Sequence, residues 1–231
     1  MTIDFAEFER KTELHFTDKN LLRQAFVHRS YINENKNSGL SHNERLEFLG
    51  DAVLELVITD FLYAQYPLKP EGELTAYRSA LVNADTCAGI ATLLHVNEYL
   101  LLSKGESKDM GRARQYILAN ALEAIIGAIY LDHGYESAKN FIERHFTPLI
   151  EQIISAKSFI DAKSLFQEKA QEYEGTTPSY KTMKEVGPDH GKQFTVGVYV
   201  GRDLVAQGEG LSKQDAEQSA ARKALETRGW N

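Results

Sequence analysis

The chain has 231 residues, 42% of them hydrophobic and 26% charged, which fits a globular protein of one large domain or two small ones. Its single cysteine, Cys87, excludes an internal disulfide and a thiol-based metal cluster. The net charge of −7 argues against a nucleic-acid partner if taken alone, yet it is unevenly spread: residues 1–158 hold 16 Lys and Arg against 22 Asp and Glu, residues 159–231 hold 10 against 11.

Apolar residues recur at three- and four-residue spacing in the first part of the chain, which predicts helices. The first spans 5–14, and Asp18 caps a second over 19–28. A third covers 43–66 and ends before Pro67. Residues 73–93, 112–131 and 135–154 follow, with Leu118, Leu122, Ile125, Ile126 and Ile129 forming one apolar stripe. No period-two pattern interrupts this part, so an all-α domain is expected. No run approaches the roughly 20 apolar residues of a membrane helix. The acidic start Met1-Thr2-Ile3-Asp4-Phe5-Ala6-Glu7 lacks the features of a signal peptide, which predicts a cytoplasmic chain.

The pattern changes near residue 157. A helix over 162–173 is broken by Gly175-Thr176-Thr177-Pro178. Strands are predicted at 180–186, 194–200 and 204–209, the second alternating with Phe194, Val196, Val198 and Val200 on one face. A last helix over 213–226 carries Ala216, Ala220, Ala221 and Ala224 on one side. The expected order is α-β-β-β-α, a small α+β domain.

Chemistry concentrates in the helix at 43–66. Glu44, Glu47, Asp51 and Glu55 fall at i, i+3, i+7 and i+11, one stripe of like charge. Glu47 and Asp51 border the apolar face of Leu46, Leu49, Val53, Leu54 and Val57, so they are expected to be half-buried. Buried carboxylates need a partner, and a hard divalent cation bound by oxygen supplies one; a solvated acidic face is the alternative. Gly50, costing about 1 kcal/mol relative to alanine inside a helix, points to close approach of a second backbone. The helix at 112–131 offers Ala119, Ala121, Ala124, Gly127 and Ala128, with Asn120 and Glu123 on one face. Seven histidines show no close metal-ligand spacing, so zinc is not expected.

The run Asn43-Glu44-Arg45-Leu46-Glu47-Phe48-Leu49-Gly50-Asp51-Ala52-Val53-Leu54 resembles the signature of the bacterial ribonuclease III family. Ala25-Phe26-Val27-His28-Arg29-Ser30-Tyr31 and the run from Glu123 to Asp132 resemble it too, in the expected order. The resemblance implies Asp51 and Glu123 as catalytic residues, with Glu47, Asn120, Glu123 and Asp51 around magnesium, manganese being able to substitute. It also implies a homodimer with one site per subunit, cutting double-stranded RNA to leave short 3′ overhangs, in ribosomal RNA precursor and mRNA processing. Phe48 is a candidate dimer contact; Glu44 and Glu71 are secondary acids. No organic cofactor is expected.

One position departs from the family, which usually has aspartate where this chain has Asn120. An amide oxygen can ligate magnesium but brings no charge. The chain then tolerates a weaker ion site, is an engineered form of low activity, or binds RNA without cutting it. Retained activity is expected because Glu47, Asp51 and Glu123 are present; the alternative is a dsRNA-binding protein with a weakened or inactive nuclease site.

The C-terminal order, with Gly187-Pro188-Asp189-His190 and Ser212-Lys213, resembles a double-stranded RNA-binding domain. Such domains grip 2′-hydroxyls across the minor groove and the phosphates between. Gln167, Glu168, Pro188, His190, Lys192 and Lys213 are the candidate contacts. Gln214-Asp215 stands where related domains carry further bases, so a modest affinity and a shallow salt slope are expected. The expected organisation is an all-α nuclease domain over 4–136, a closing helix and linker over 137–158, and the RNA-binding domain over 159–228.

Overall fold

The computed structural model describes residues 3–108, 111–155, 162–187 and 192–230. The chain divides into two compact units, Met1–Phe159 and Ile160–Asn231.

The first unit begins with α1 (Phe5–Thr12), whose Asp4 carboxylate accepts from the N–H groups of Ala6 and Glu7. Asp18 caps α2 (Lys19–Ala25) as expected. A short helix that the apolar spacing did not predict, α3 (Arg29–Glu34), follows directly; its cap is the imidazole of His28, which accepts from the Ser30 N–H. Helix α4 (Glu44–Gln65) ends before Pro67. Where one helix was expected over 73–93 there are two, α5 (Glu71–Val82) and α6 (Ala84–Leu93). Asn83 is extended and its side chain accepts from the Thr86 N–H at 2.9 Å, ending one helix and capping the next.

The following helix, α7 (Arg112–Phe146), runs for 35 residues, with Gly134 at φ 78° inside it. The break expected between 131 and 135 is therefore a kink, at a glycine that reaches positive φ without steric cost. A turn leads to α8 (Ile150–Ser155). The core is built where α4 packs on α7 and α6 on α7. Leu54, Val57, Ile58, Leu62, Leu122, Ile125 and Ile126 are buried there, each contributing about 1.5–3 kcal/mol by leaving water. Asp132 pins the N-terminal segment by accepting from the N–H groups of Thr17 (2.6 Å) and Asp18 (3.0 Å). The expectation of helices alone meets one small exception, a parallel bridge between Val27 and Leu101.

The second unit is α9 (Ala162–Glu174), β1 (Ser179–Val186), β2 (Gln193–Val200), β3 (Asp203–Gly210) and α10 (Lys213–Arg228). The strands form an antiparallel sheet in the order β1-β2-β3, with Val198 paired to Tyr180 and Ala206. Val196, Val198 and Val200 are buried, the alternation expected of a strand with one covered face. Phe166 of α9 and Ala220, Ala221 and Ala224 of α10 complete that core. Ser212 caps α10 by accepting from the Asp215 N–H. This is the α-β-β-β-α order anticipated for the C-terminal module.

Candidate active site and RNA-binding surface

The site starts from two glycines. A β-carbon placed on Gly50 would overlap the carbonyl oxygen of Glu123 and stand 2.8 Å from the Gly127 nitrogen. One placed on Gly127 would overlap the Leu46 carbonyl oxygen and stand 3.1 Å from the Gly50 nitrogen. Helices α4 and α7 therefore meet backbone to backbone, a distance only reciprocal glycines permit. Ala121, Ala124 and Ala128 are fully buried in the same helix. Glu47 and Asp51 lie one turn or less from Gly50, and Asn120 and Glu123 lie within two turns before Gly127. The crossing thus brings these four side chains to one place.

The electrostatics follow from that proximity. Burial pushes the Glu123 carboxyl up to about 7, and the carboxylates of Asp51 and Glu47 add to the rise. Burial likewise raises Glu47, with the charges of Glu44 and Asp51 behind it, while the Asn120 side chain works in the opposite direction. Asp51 is exposed, not half-buried as expected. Beneath the carboxylates, Cys87 of α6 is fully buried; desolvation, together with Glu123 and Asp51, pushes its thiol up to about 12. It is an inert packing residue.

The donor set is oxygen throughout, and its mutual repulsion and burial are relieved by a cation, so it fits a hard divalent ion. Among the described residues, no three His, Cys, Asp or Glu side chains stand close enough to hold an ion unaided. An ion would draw on the amide oxygen of Asn120 and on water to fill its shell.

The remaining acids are placed elsewhere. Glu44 lies 3.6 Å from both Arg29 and His42, an ion-pair cluster supplied by α3 and the segment before α4. These two partners escaped sequence reasoning because they come from other elements. Glu71 opens α5 and accepts from the Thr75 hydroxyl at 2.9 Å. Phe48 is 80% exposed. Beside it lies a concavity lined in part by Leu21, Leu46, Leu49 and Leu131.

In the second unit, Gln167 and Glu168 line a shallow groove on α9 with Ser164 and Gln171. Lys213 opens α10, is 3.1 Å from Glu185 of β1, and stands over the Phe194 ring. Lys163 pairs with Glu217 at 2.6 Å. Lys192 is half-buried just before β2. Pro188 and His190 lie outside the described residues.

Comparison with known proteins agrees with both halves. The family described as Ribonuclease-III-like matches residues 18–150, and the double-stranded RNA binding motif matches residues 162–227. Ribonuclease 3 of Borreliella burgdorferi is 45% identical over 220 residues, covering 95% of this chain and 89% of that protein. Ribonuclease 3 of Enterococcus faecalis is 43% identical over 221 residues, 96% of each. The solved nuclease domain of ribonuclease III from Campylobacter jejuni is 42% identical, with a TM-score of 0.56, covering 62% of this chain and 99% of that domain. The two matched families together span both units of the chain, the first over the helical unit and the second over the α-β-β-β-α unit. The chain belongs to the ribonuclease III family and is an endoribonuclease of double-stranded RNA.

Proposed function

We propose that this chain hydrolyses phosphodiester bonds of duplex RNA with the aid of magnesium at the α4–α7 crossing. The observation that carries the reading is the gathering of Glu47, Asp51 and Glu123 by the Gly50–Gly127 contact, which leaves Glu123 half-buried among like charges. Glu47, Glu123 and the Asn120 amide oxygen would hold the ion, with Asp51 reaching it from the exposed edge. When bound, magnesium supplies charge neutralisation and a water nucleophile near neutral pH. The side chains fix where that charge sits relative to the scissile phosphate. Asp51 and Glu123 orient the attacking water by accepting its hydrogens. Attack breaks the bond between phosphorus and the 3′ oxygen, and the leaving oxygen gains a proton.

Two copies acting together fit the exposed Phe48 and the apolar concavity of Leu21, Leu46, Leu49 and Leu131, since each copy could fill the other's. The Campylobacter jejuni nuclease domain is described as having a region involved in dimer formation, which supports a homodimer here. We place the nuclease domain at 4–136, the closing helix and linker at 137–158 and the RNA-binding domain at 159–228. Lys213, Lys192, Gln167 and Glu168 serve duplex binding, with Pro188 and His190 assigned by resemblance. A cytoplasmic role in ribosomal RNA precursor and mRNA processing follows from the family. No described helix is long and apolar enough to cross a membrane.

Asn120 favours one second reading, an RNA binder with a weakened nuclease. Cleavage of a perfect RNA duplex with and without magnesium separates the two. Glu123→Ala is expected to abolish cutting and leave duplex binding in metal-free buffer intact. Cutting by that variant at the wild-type rate, or no cutting by wild type at any magnesium concentration, refutes the proposed activity.

A further inference from the structure

Where α4 ends and α5 begins, Thr59, Tyr63, Lys69 and Arg78 surround a pocket of about 450 Å³ floored by Leu62 and Leu74. Arg78 is half-buried, and its guanidinium donates to the Thr59 hydroxyl oxygen at 3.2 Å. That hydroxyl donates in turn to the Glu55 carbonyl at 2.6 Å, which fixes it as the acceptor for Arg78. Among the described residues, no carboxylate lies within ion-pair distance of Arg78. The acids nearby are engaged otherwise: Glu73 pairs with Lys69 at 2.6 Å, and Glu71 accepts from the Thr75 hydroxyl at 2.9 Å. A guanidinium placed in this way presents its planar fork to the pocket, and an oxyanion is the partner that fits it. Tyr63 stands one turn beyond Thr59 on the same side of α4 and is 76% exposed. Tyr66 and Tyr77 stack on each other, ring centroids 5.7 Å apart, and leave the Tyr63 ring open at the rim.

A fork for an oxyanion, an open aromatic face and an apolar floor together suit a single nucleotide, with its phosphate on the guanidinium and its base on the ring. The volume is of the order that holds a ligand of that size. A paired base cannot reach such a ring, because its faces are stacked within the duplex; an unpaired base can. We propose that this pocket binds one unpaired nucleotide of an RNA substrate, so that the nuclease unit selects among duplexes by their unpaired positions. Thr59 lies about 12 Å along α4 from Asp51, which sets the pocket apart from the α4–α7 crossing and within reach of the same RNA. The inference adds a selectivity to the proposed function and rests on its RNA substrate, while the metal chemistry of the crossing plays no part in it.

The test uses the full chain in chelator and reads binding rather than cleavage. Wild type, Tyr63→Ala and Arg78→Gln are titrated with a blunt RNA duplex and with the same duplex carrying a single-nucleotide bulge. Wild type is expected to bind the bulged duplex about tenfold more tightly, the worth of one stacked base and its phosphate contact. Both variants should lose that preference and bind the blunt duplex within about twofold of wild type. Tyr63→Ala leaves the core untouched because the ring is exposed, and Arg78→Lys, which keeps the charge without the fork, should recover only part of the preference. No preference for the bulge in wild type, or a preference that survives in Tyr63→Ala, overturns the proposal. A free nucleotide offers the same chemistry from another source, and AMP is titrated to separate the two. AMP that erases the bulge preference of wild type supports the pocket as its seat. AMP that binds through Arg78 in a protein with no bulge preference assigns the pocket to free nucleotides and overturns the RNA assignment. A protein that shows the preference yet cuts nothing with magnesium refutes the proposed activity and leaves the pocket assigned; cutting without the preference does the reverse.

Discussion

Replacing Gly127 by alanine perturbs the site without touching any of its side chains. The added methyl would overlap the Leu46 carbonyl oxygen and stand 3.1 Å from the Gly50 nitrogen. Neither neighbour is a flexible side chain, so the helices themselves must part, by about 1 Å to restore ordinary van der Waals contact. Overpacking of this kind costs about 1–3 kcal/mol, and for a chain of this size each kcal/mol lowers the melting temperature by about 2–4 °C. The effect on chemistry should be larger than the effect on stability. A displacement of about 1 Å between groups that share a reacting centre costs about a hundredfold in rate. Steady-state cleavage of a labelled duplex, at a temperature where the variant remains folded, measures kcat/KM. Duplex binding in chelator measures the RNA-binding surface independently, and it should change by less than about twofold, because Gly127 lies in the other unit. A folded Gly127→Ala protein that melts lower yet cleaves within about threefold of wild type would show that helix spacing does not set the site, and the argument from the glycines would be wrong.

Glu123 predicts a pH effect on the ion-free protein. Its carboxyl stands at about 7 in the folded chain against an ordinary value of 4.5, so between those values the folded state holds a proton that the unfolded chain has released. Stability from this group is present below pH 4.5 and is lost as pH rises toward 7. Melting in chelator should fall more steeply across that window for wild type than for Glu123→Gln, and identical slopes would remove the basis for a strained carboxylate cluster. Phe48→Ala should shift sedimentation from dimer to monomer while retaining the helical circular dichroism spectrum, because the ring is 80% exposed within one copy; a stable dimer in the variant would count against that contact. Lys213→Ala should weaken duplex affinity alike for all sequences and reduce the salt slope by about one. An unchanged slope would mean that the lysine remains with Glu185 when RNA binds.

Much of this was readable from residue spacing. The α4 and α7 helices, the strand alternation of Val196, Val198 and Val200, and the alanine face of α10 each repeat a pattern that only one element type buries. What spacing missed were boundaries set by single side chains. Asn83 divides α5 from α6 by capping, although the apolar period runs through it. His28 opens α3 in a role more often taken by Ser, Thr, Asp or Asn, so no familiar start signal was present. At the site, Gly50 announced a close contact, and the small residues of α7 named its partner. The pairing of Glu44 with Arg29 and His42 was hidden, as was that of Lys213 with Glu185, because each joins residues from different elements. Charge spacing along one helix cannot disclose neighbours contributed by another.

The contact of Thr17 with Asp132 spans 115 residues, and the α4–α7 crossing is similarly non-local. During synthesis, Glu47 and Asp51 leave the ribosome long before Glu123 does. At about 5–20 residues per second, the segment between Thr17 and Asp132 takes roughly 6 to 23 s to make. From the completion of α4 until α7 is made, α4 lacks its main partner, and its glycine notch is open. With the active site proposed at this crossing, a nascent chain is unable to cut RNA, its own message included, until α7 has emerged and closed on the earlier helix. The separation of the two halves along the chain acts as a timer on the appearance of nuclease activity.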